Sequence, residues 1–140
     1  MRRFLAVLAI ALPLAAGCSR GPATAQVSGR VTLNGQPLAN VHVSFQPIAA
    51  GNDYNVGGGS YAITDADGKF TLRLVDGEKL GAVVGKHRVE ITPRNTDDDL
   101  DRRGKGAPTG IPERYNRNTT LTFEVPAKGT DQADFPLTAP

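Results

Sequence analysis

The chain has 140 residues, 16 of them basic and 14 acidic, with 16 glycines, ten prolines, one cysteine and no tryptophan. Its length allows one modest domain, and a formal net charge of +2 excludes the basic footprint that nucleic-acid binding needs. A lone cysteine excludes an intramolecular disulfide, and the few aromatic residues argue against a broad stacking platform for sugars or bases.

The amino terminus carries an address. Arg2 and Arg3 precede an apolar run of 13 residues from Phe4 to Ala16, interrupted by Pro13. That run is shorter than the roughly 20 residues a spanning helix requires, which disfavours an uncleaved anchor. Small residues at Ala15, Ala16 and Gly17 suit a signal peptidase cleft, so residues 1–17 read as a signal peptide cut between Gly17 and Cys18. One alternative is an ordinary secretory signal with a stray cysteine after the cut. The run Leu14 to Cys18 resembles the lipobox of bacterial lipoproteins. Ala15 stands three places before the cysteine, where that family prefers leucine, and Leu14 lies one step earlier. The resemblance implies that Cys18 is lipidated and becomes the first mature residue, with the membrane as partner through the anchor. It also implies the outer rather than the inner membrane, because Ser19 stands where inner-membrane retention shows aspartate. A thioether to lipid would remove the oxidation hazard of an exported unpaired thiol. Cleavage takes away Arg2 and Arg3, so 14 basic residues remain against 14 acidic ones. The mature chain is then neutral, without polybasic attraction to anionic lipid.

Residues 18–25 read as the lipidated cysteine and a short, small-residue tether. Beyond it the chain alternates with period two, the signature of half-buried strands. Val27, Gly29, Val31 and Leu33 share one face of the first strand, and Asn34-Gly35 predicts a type I′ hairpin turn, whose two central residues need positive φ. Val41, Val43 and Phe45 point inward on the next strand, His42, Ser44 and Gln46 outward, and Pro47 stops it. A glycine-rich loop, 51–59, leads to a short strand over 60–64 and a tight turn at Asp65-Ala66-Asp67-Gly68. Lys69 to Leu74 alternates again, burying Phe70, Leu72 and Leu74, and Asp76-Gly77 turns the chain. Residues 81–85 read as a small-residue loop. His87 to Thr92 is the next strand, with Val89 and Ile91 on its apolar face and Pro93 at its end. Residues 94–110, with acids at 97–99 followed by Arg102, Arg103 and Lys105, read as a flexible solvated insertion or a docking loop for a charged partner. Ile111 to Asn116 is an ordered turn or a short edge segment, Leu121, Phe123 and Val125 mark a strand, and Phe135 and Leu137 close the pattern. Pro136 makes this last element an edge strand. No stretch after residue 18 holds helical spacing over two turns. The expectation is all-β: a single antiparallel β-sandwich of about seven short strands over residues 26–138.

The order of these pieces resembles the carboxypeptidase regulatory-like family, a transthyretin-like (prealbumin-like) sandwich, and most nearly small planctomycete-type lipoproteins carrying one such module. The resembling residues are Val27 to Leu38 (strand, turn and proline), Val41 to Pro47, Thr64 to Leu72, Gly85 to Ile91, Ile111 to Asn116 and the closing Leu121 to Leu137 segment. Val84 stands where that family carries a proline before the glycine. The resemblance implies a fold far more firmly than a task, since such modules are mostly accessory.

Several side chains invite chemistry. Asp65 and Asp67 are spaced like the start of a calcium loop, but Lys69 and Phe70 occupy the positions where further oxygen ligands belong; an Asx-type hairpin turn accounts for them. His42 and His87 are the only histidines, with no free cysteine to complete a zinc set; they read as a surface and a half-buried packing histidine. Tyr54, Tyr61 and Tyr115 invite comparison with intradiol dioxygenases, whose histidines are close-set as His-x-His. Here 45 positions separate the two histidines. Hydroxyisourate hydrolases of the transthyretin family end in Tyr-Arg-Gly-Ser, whereas this chain ends in Leu137-Thr138-Ala139-Pro140. Tyr115 reads instead as an anchor for the segment after the insertion. The expectation is a lipid-anchored, non-catalytic module of the cell envelope with a structural or protein-interaction role, needing no cofactor or metal. A carbohydrate- or small-ligand-binding module is the alternative.

Overall fold

A computed structural model of the chain describes residues 21–53, 55–77, 79–94 and 110–140. The expected Cys18, Gly17, Tyr54 and most of the 94–110 insertion lie outside these residues. Within them the fold is all-β, with one 3-10 turn at Glu113–Tyr115 and eleven strands rather than about seven. The strands are β1 (Thr24–Ala25), β2 (Ser28–Leu33), β3 (Gln36–Pro37), β4 (Val41–Pro47), β5 (Ser60–Ile63), β6 (Lys69–Thr71), β7 (Arg73–Leu74), β8 (Ala82–Val83), β9 (Gly85–Pro93), β10 (Thr122–Val125) and β11 (Phe135–Leu137).

Two sheets face each other. The larger runs β10-β9-β4-β5-β7, antiparallel throughout, and the smaller is β11-β2-β3 with β6 also paired to β2. β11 pairs with β2 in parallel, so the sandwich is not antiparallel everywhere. The connection explains it: the chain turns at Pro126 to Gly129 and comes back along β2 in the same direction, starting with a bridge from Thr130 to Val27. Pro136 sits at the edge of this sheet as expected, where its missing N–H forfeits no ladder bond.

Period-two alternation delivers the core. Val41, Val43 and Phe45 of β4 and Val89 and Ile91 of β9 are buried from one side, and Val31, Phe70, Phe135 and Leu137 from the other. Four phenylalanines bridge the layers: Phe45 lies 5.7 Å from Phe123 and 6.0 Å from Phe135, and Phe135 lies 6.2 Å from Phe70. Such tilted and offset ring pairs stabilise beyond their buried area. The Asn34-Gly35 turn forms as predicted, with φ of 49° and 81° and Leu33 opposite Gln36.

Four expectations need correction. Thr24–Ala25 is not tether: it pairs with Ala82–Val83, and Ala25 is buried. The supposed small-residue loop at 81–85 supplies the partner strand. Two-residue strands carry no readable period, so neither was visible in the sequence. Lys69 to Leu74 is likewise not one strand. It joins β2 of the small sheet as β6, then β5 of the large sheet as β7. Leu72 is the corner: its N–H donates to Val27 and its carbonyl accepts from Gly81. Alternation reports which face is buried, not which neighbour is paired, so the change of sheet leaves the pattern unbroken. Finally, Pro47 and Pro93 close their strands from inside them, at the last positions.

Candidate functional site

The registers place one end of the sandwich. Pro47 pairs with His87, Ser60 with Phe45 and Leu74, and Val125 with Gly85, so the end of β4, the starts of β5 and β9 and the ends of β7 and β10 share one pole. The chain from the amino terminus enters at this pole, where the Val84 N–H donates to the Ala23 carbonyl (2.8 Å) and Thr24 pairs with Val83. The loop after β4 and the Asp76-Gly77 turn gather beside it; Val75 donates to Gly59 and Ile48 to Lys86. A groove of about 360 Å³ runs here between Pro22, Ile48, Ala49, Val56 and Val83. The opposite pole holds the Asn34-Gly35 turn, the carboxyl terminus and both ends of the insertion: Arg94 donates to Asn40, and Gly110 lies against Leu33.

The histidines separate as strand parity requires. His42 faces outward from β4 and is half-buried because Tyr61 of β5 stacks on it, with centroids 5.6 Å apart and rings 13° from parallel. Burial pushes its pKa down, against the pull of Glu90. His87 is fully buried rather than half-buried, wedged beside Phe45 at the tether pole. The Gly85 carbonyl only accepts, so Nδ1 carries the proton and donates to it at 3.0 Å. That leaves Nε2 an unpaired acceptor in the core, and the buried Ser60 Oγ is also without a partner. Burial lowers the His87 pKa, outweighing the Gly85 hydrogen bond and Glu124.

The Asp65 carboxylate is committed to its own turn. Its Oδ1 accepts from the N–H groups of Asp67 and Lys69, both at 2.9 Å, while Gly68 donates to the Asp65 carbonyl. This is the Asx-type turn read from the sequence. It borders an open polar cleft of about 800 Å³ lined also by Arg30, Lys69, Asp131 and Asp134, where Asp134 accepts from the Arg30 N–H at 3.0 Å. Among the described residues no group of three or more histidines, cysteines or carboxylates is placed to hold a metal ion.

Tyr115 is the anchor its position suggested. Its hydroxyl accepts from the Thr138 N–H (3.2 Å) and lies 3.3 Å from Thr138 Oγ1. Arg114 reaches Thr138 Oγ1 (3.2 Å) and the Thr138 carbonyl, and its guanidinium lies 4.8 Å from the Tyr115 ring centre. The Thr138 side-chain and backbone hydrogen bonds, then Arg114, hold the phenol down at about 8. The segment returning from the insertion is thereby clamped to the carboxyl terminus. Sequence reasoning missed Arg114 and Thr138 as the partners, since nothing in their spacing joins them.

Comparison with protein-family models, with curated proteins and with solved structures returns no match. Among the described residues no helix is long and apolar enough to cross a membrane.

Proposed function

We propose that the chain is a lipid-anchored, non-catalytic β-sandwich module of the cell envelope, akin to the carboxypeptidase regulatory-like modules, with a structural or protein-interaction role. The observation that carries this reading is the charged, apolar and small-residue run ending at Cys18, five residues before Ala23, which makes the first backbone hydrogen bond of the body among the described residues. The conspicuous polar side chains have structural engagements that support it: Asp65 closes a turn, His42 packs on Tyr61, His87 fills the core, and Tyr115 clamps a terminus. Ser19 favours the outer membrane. Globomycin treatment or Cys18→Ala is expected to move the protein from the membrane to the soluble fraction; unchanged partitioning overturns the anchor. Crosslinking in intact cells followed by mass spectrometry is expected to name an envelope protein partner.

A second reading, a carbohydrate- or small-ligand-binding module, draws on the exposed Tyr61 ring lying flat over His42. It predicts glycan-array signals that Tyr61→Ala abolishes; a blank array removes it.

A further inference from the structure

The large apolar side chains left outside by the fold are not scattered. Ile48, Tyr61, Val75 and Leu80 are the exposed ones among the described residues, at 42, 37, 62 and 45 %. Three of these four lie on the loops of the tether pole: Ile48 just past β4, Val75 just past β7, and Leu80 just before β8. Ala49 and Ala50 add exposed apolar surface between them, and the 360 Å³ groove opens in the same place. Charges among the described residues of this pole cancel, with Lys79, Lys86 and Lys128 against Asp53, Asp76 and Glu124.

We infer that this pole docks into the interfacial layer of the bilayer, with Ile48, Val75 and Leu80 inserted at the boundary of headgroups and acyl chains, and that the insertion-bearing pole faces away. The inference rests on the reading of Cys18 as lipidated. Its geometry is set by chain length. Ala23 lies five residue steps beyond Cys18, and that stretch reaches at most about 18 Å. Ala23 is fixed to Val84, so an anchored chain holds this pole, and no other part of the sandwich, at the membrane surface. Three partly exposed aliphatic side chains would hold a free domain on lipid only weakly. A short tether changes that by making docking intramolecular at high effective concentration. Insertion of a few apolar side chains to about 5–10 Å depth suits the interface itself. Since the local charges offset one another, apolar insertion rather than attraction to anionic lipid is the driving term, and docking is insensitive to salt.

The test uses the full lipoprotein with Cys18 acylated and one new thiol in each of Ile48→Cys, Leu80→Cys and Gln36→Cys. Each is labelled with an environment-sensitive fluorophore and reconstituted in phosphatidylcholine vesicles carrying a headgroup-level nitroxide lipid. All three positions are exposed, so folding is not at stake. Blue-shifted, quenched emission at 48 and 80 but not at 36, the same in dilute and concentrated salt, is the expected result. Water-like emission at all three sites on protein that floats with the vesicles overturns the docking and leaves the anchor standing. Quenching that vanishes in concentrated salt overturns it too, because the attraction would then be ionic. Protein that fails to float with the vesicles overturns both docking and anchor.

Discussion

Phe45 and His87 lie with ring centres 5.6 Å apart at a 47° tilt, which fixes a fully buried imidazole against the aromatic cluster joining the two sheets. Burial holds the folded imidazole below its ordinary 6.5. The unfolded chain therefore binds a proton that the folded chain refuses, and the imidazole's contribution to stability is intact above about 6.5 and lost as the pH falls below it. His42 acts in the same direction. The melting temperature should fall between pH 7.5 and 5, and His87→Gln should flatten that fall more than His42→Gln. An equal slope in wild type and both variants would contradict this origin.

Gly29 has no room for a side chain. A Cβ there would overlap the backbone carbonyl of Ala133, whose N–H donates to Ser28 at 3.1 Å. The clash is with backbone, so no rotamer relieves it. Gly29→Ala is expected to cost about 1–3 kcal/mol as overpacking, read as a shift of the urea midpoint, and Gly35→Ala probes positive φ alone because open space surrounds that site.

Thr64 ties the ends of two strands. Its hydroxyl donates to the Leu38 carbonyl at 2.7 Å and accepts from the Val41 N–H at 3.1 Å, and the residue is buried. Thr64→Val keeps the shape and strands both backbone groups, at a cost of about 1–3 kcal/mol for each group left unsatisfied. Thr64→Ser should recover most of this in a denaturant titration.

The Tyr115 clamp has a spectroscopic signature. Of the three tyrosines, one should ionise near pH 8 in an ultraviolet titration, and Tyr115→Phe should remove that step. Thr138→Ala should move the step upward, since the Thr138 side-chain hydrogen bond is the leading cause of the lowered value. A step unmoved by Thr138→Ala would show that the hydroxyl is held by something else.

Much of this was legible in the sequence. The hairpin at Asn34-Gly35 follows from the positive φ its turn needs, and the Asp65 turn from a short carboxylate that reaches its own backbone. Outward His42 and inward His87 follow from strand parity. The depth of His87 did not, because burial depends on Phe45 and Phe123 arriving from other strands. The tether pole was illegible for the same reason: the loop of Ile48 and the loop of Val75 and Leu80 are separated along the chain and are brought to one end only by strand registers.

By itself the sequence determined a β protein with inward faces at Val41, Val43, Phe45, Val89 and Ile91, because side-chain alternation is a local property of an extended backbone. Tertiary structure alone decided that Thr24–Ala25 belongs to the body, that the chain changes sheets at Leu72, and that β11 runs parallel to β2. Each of these depends on which distant backbone supplies the hydrogen-bond partner, and a period of two carries no record of the neighbour.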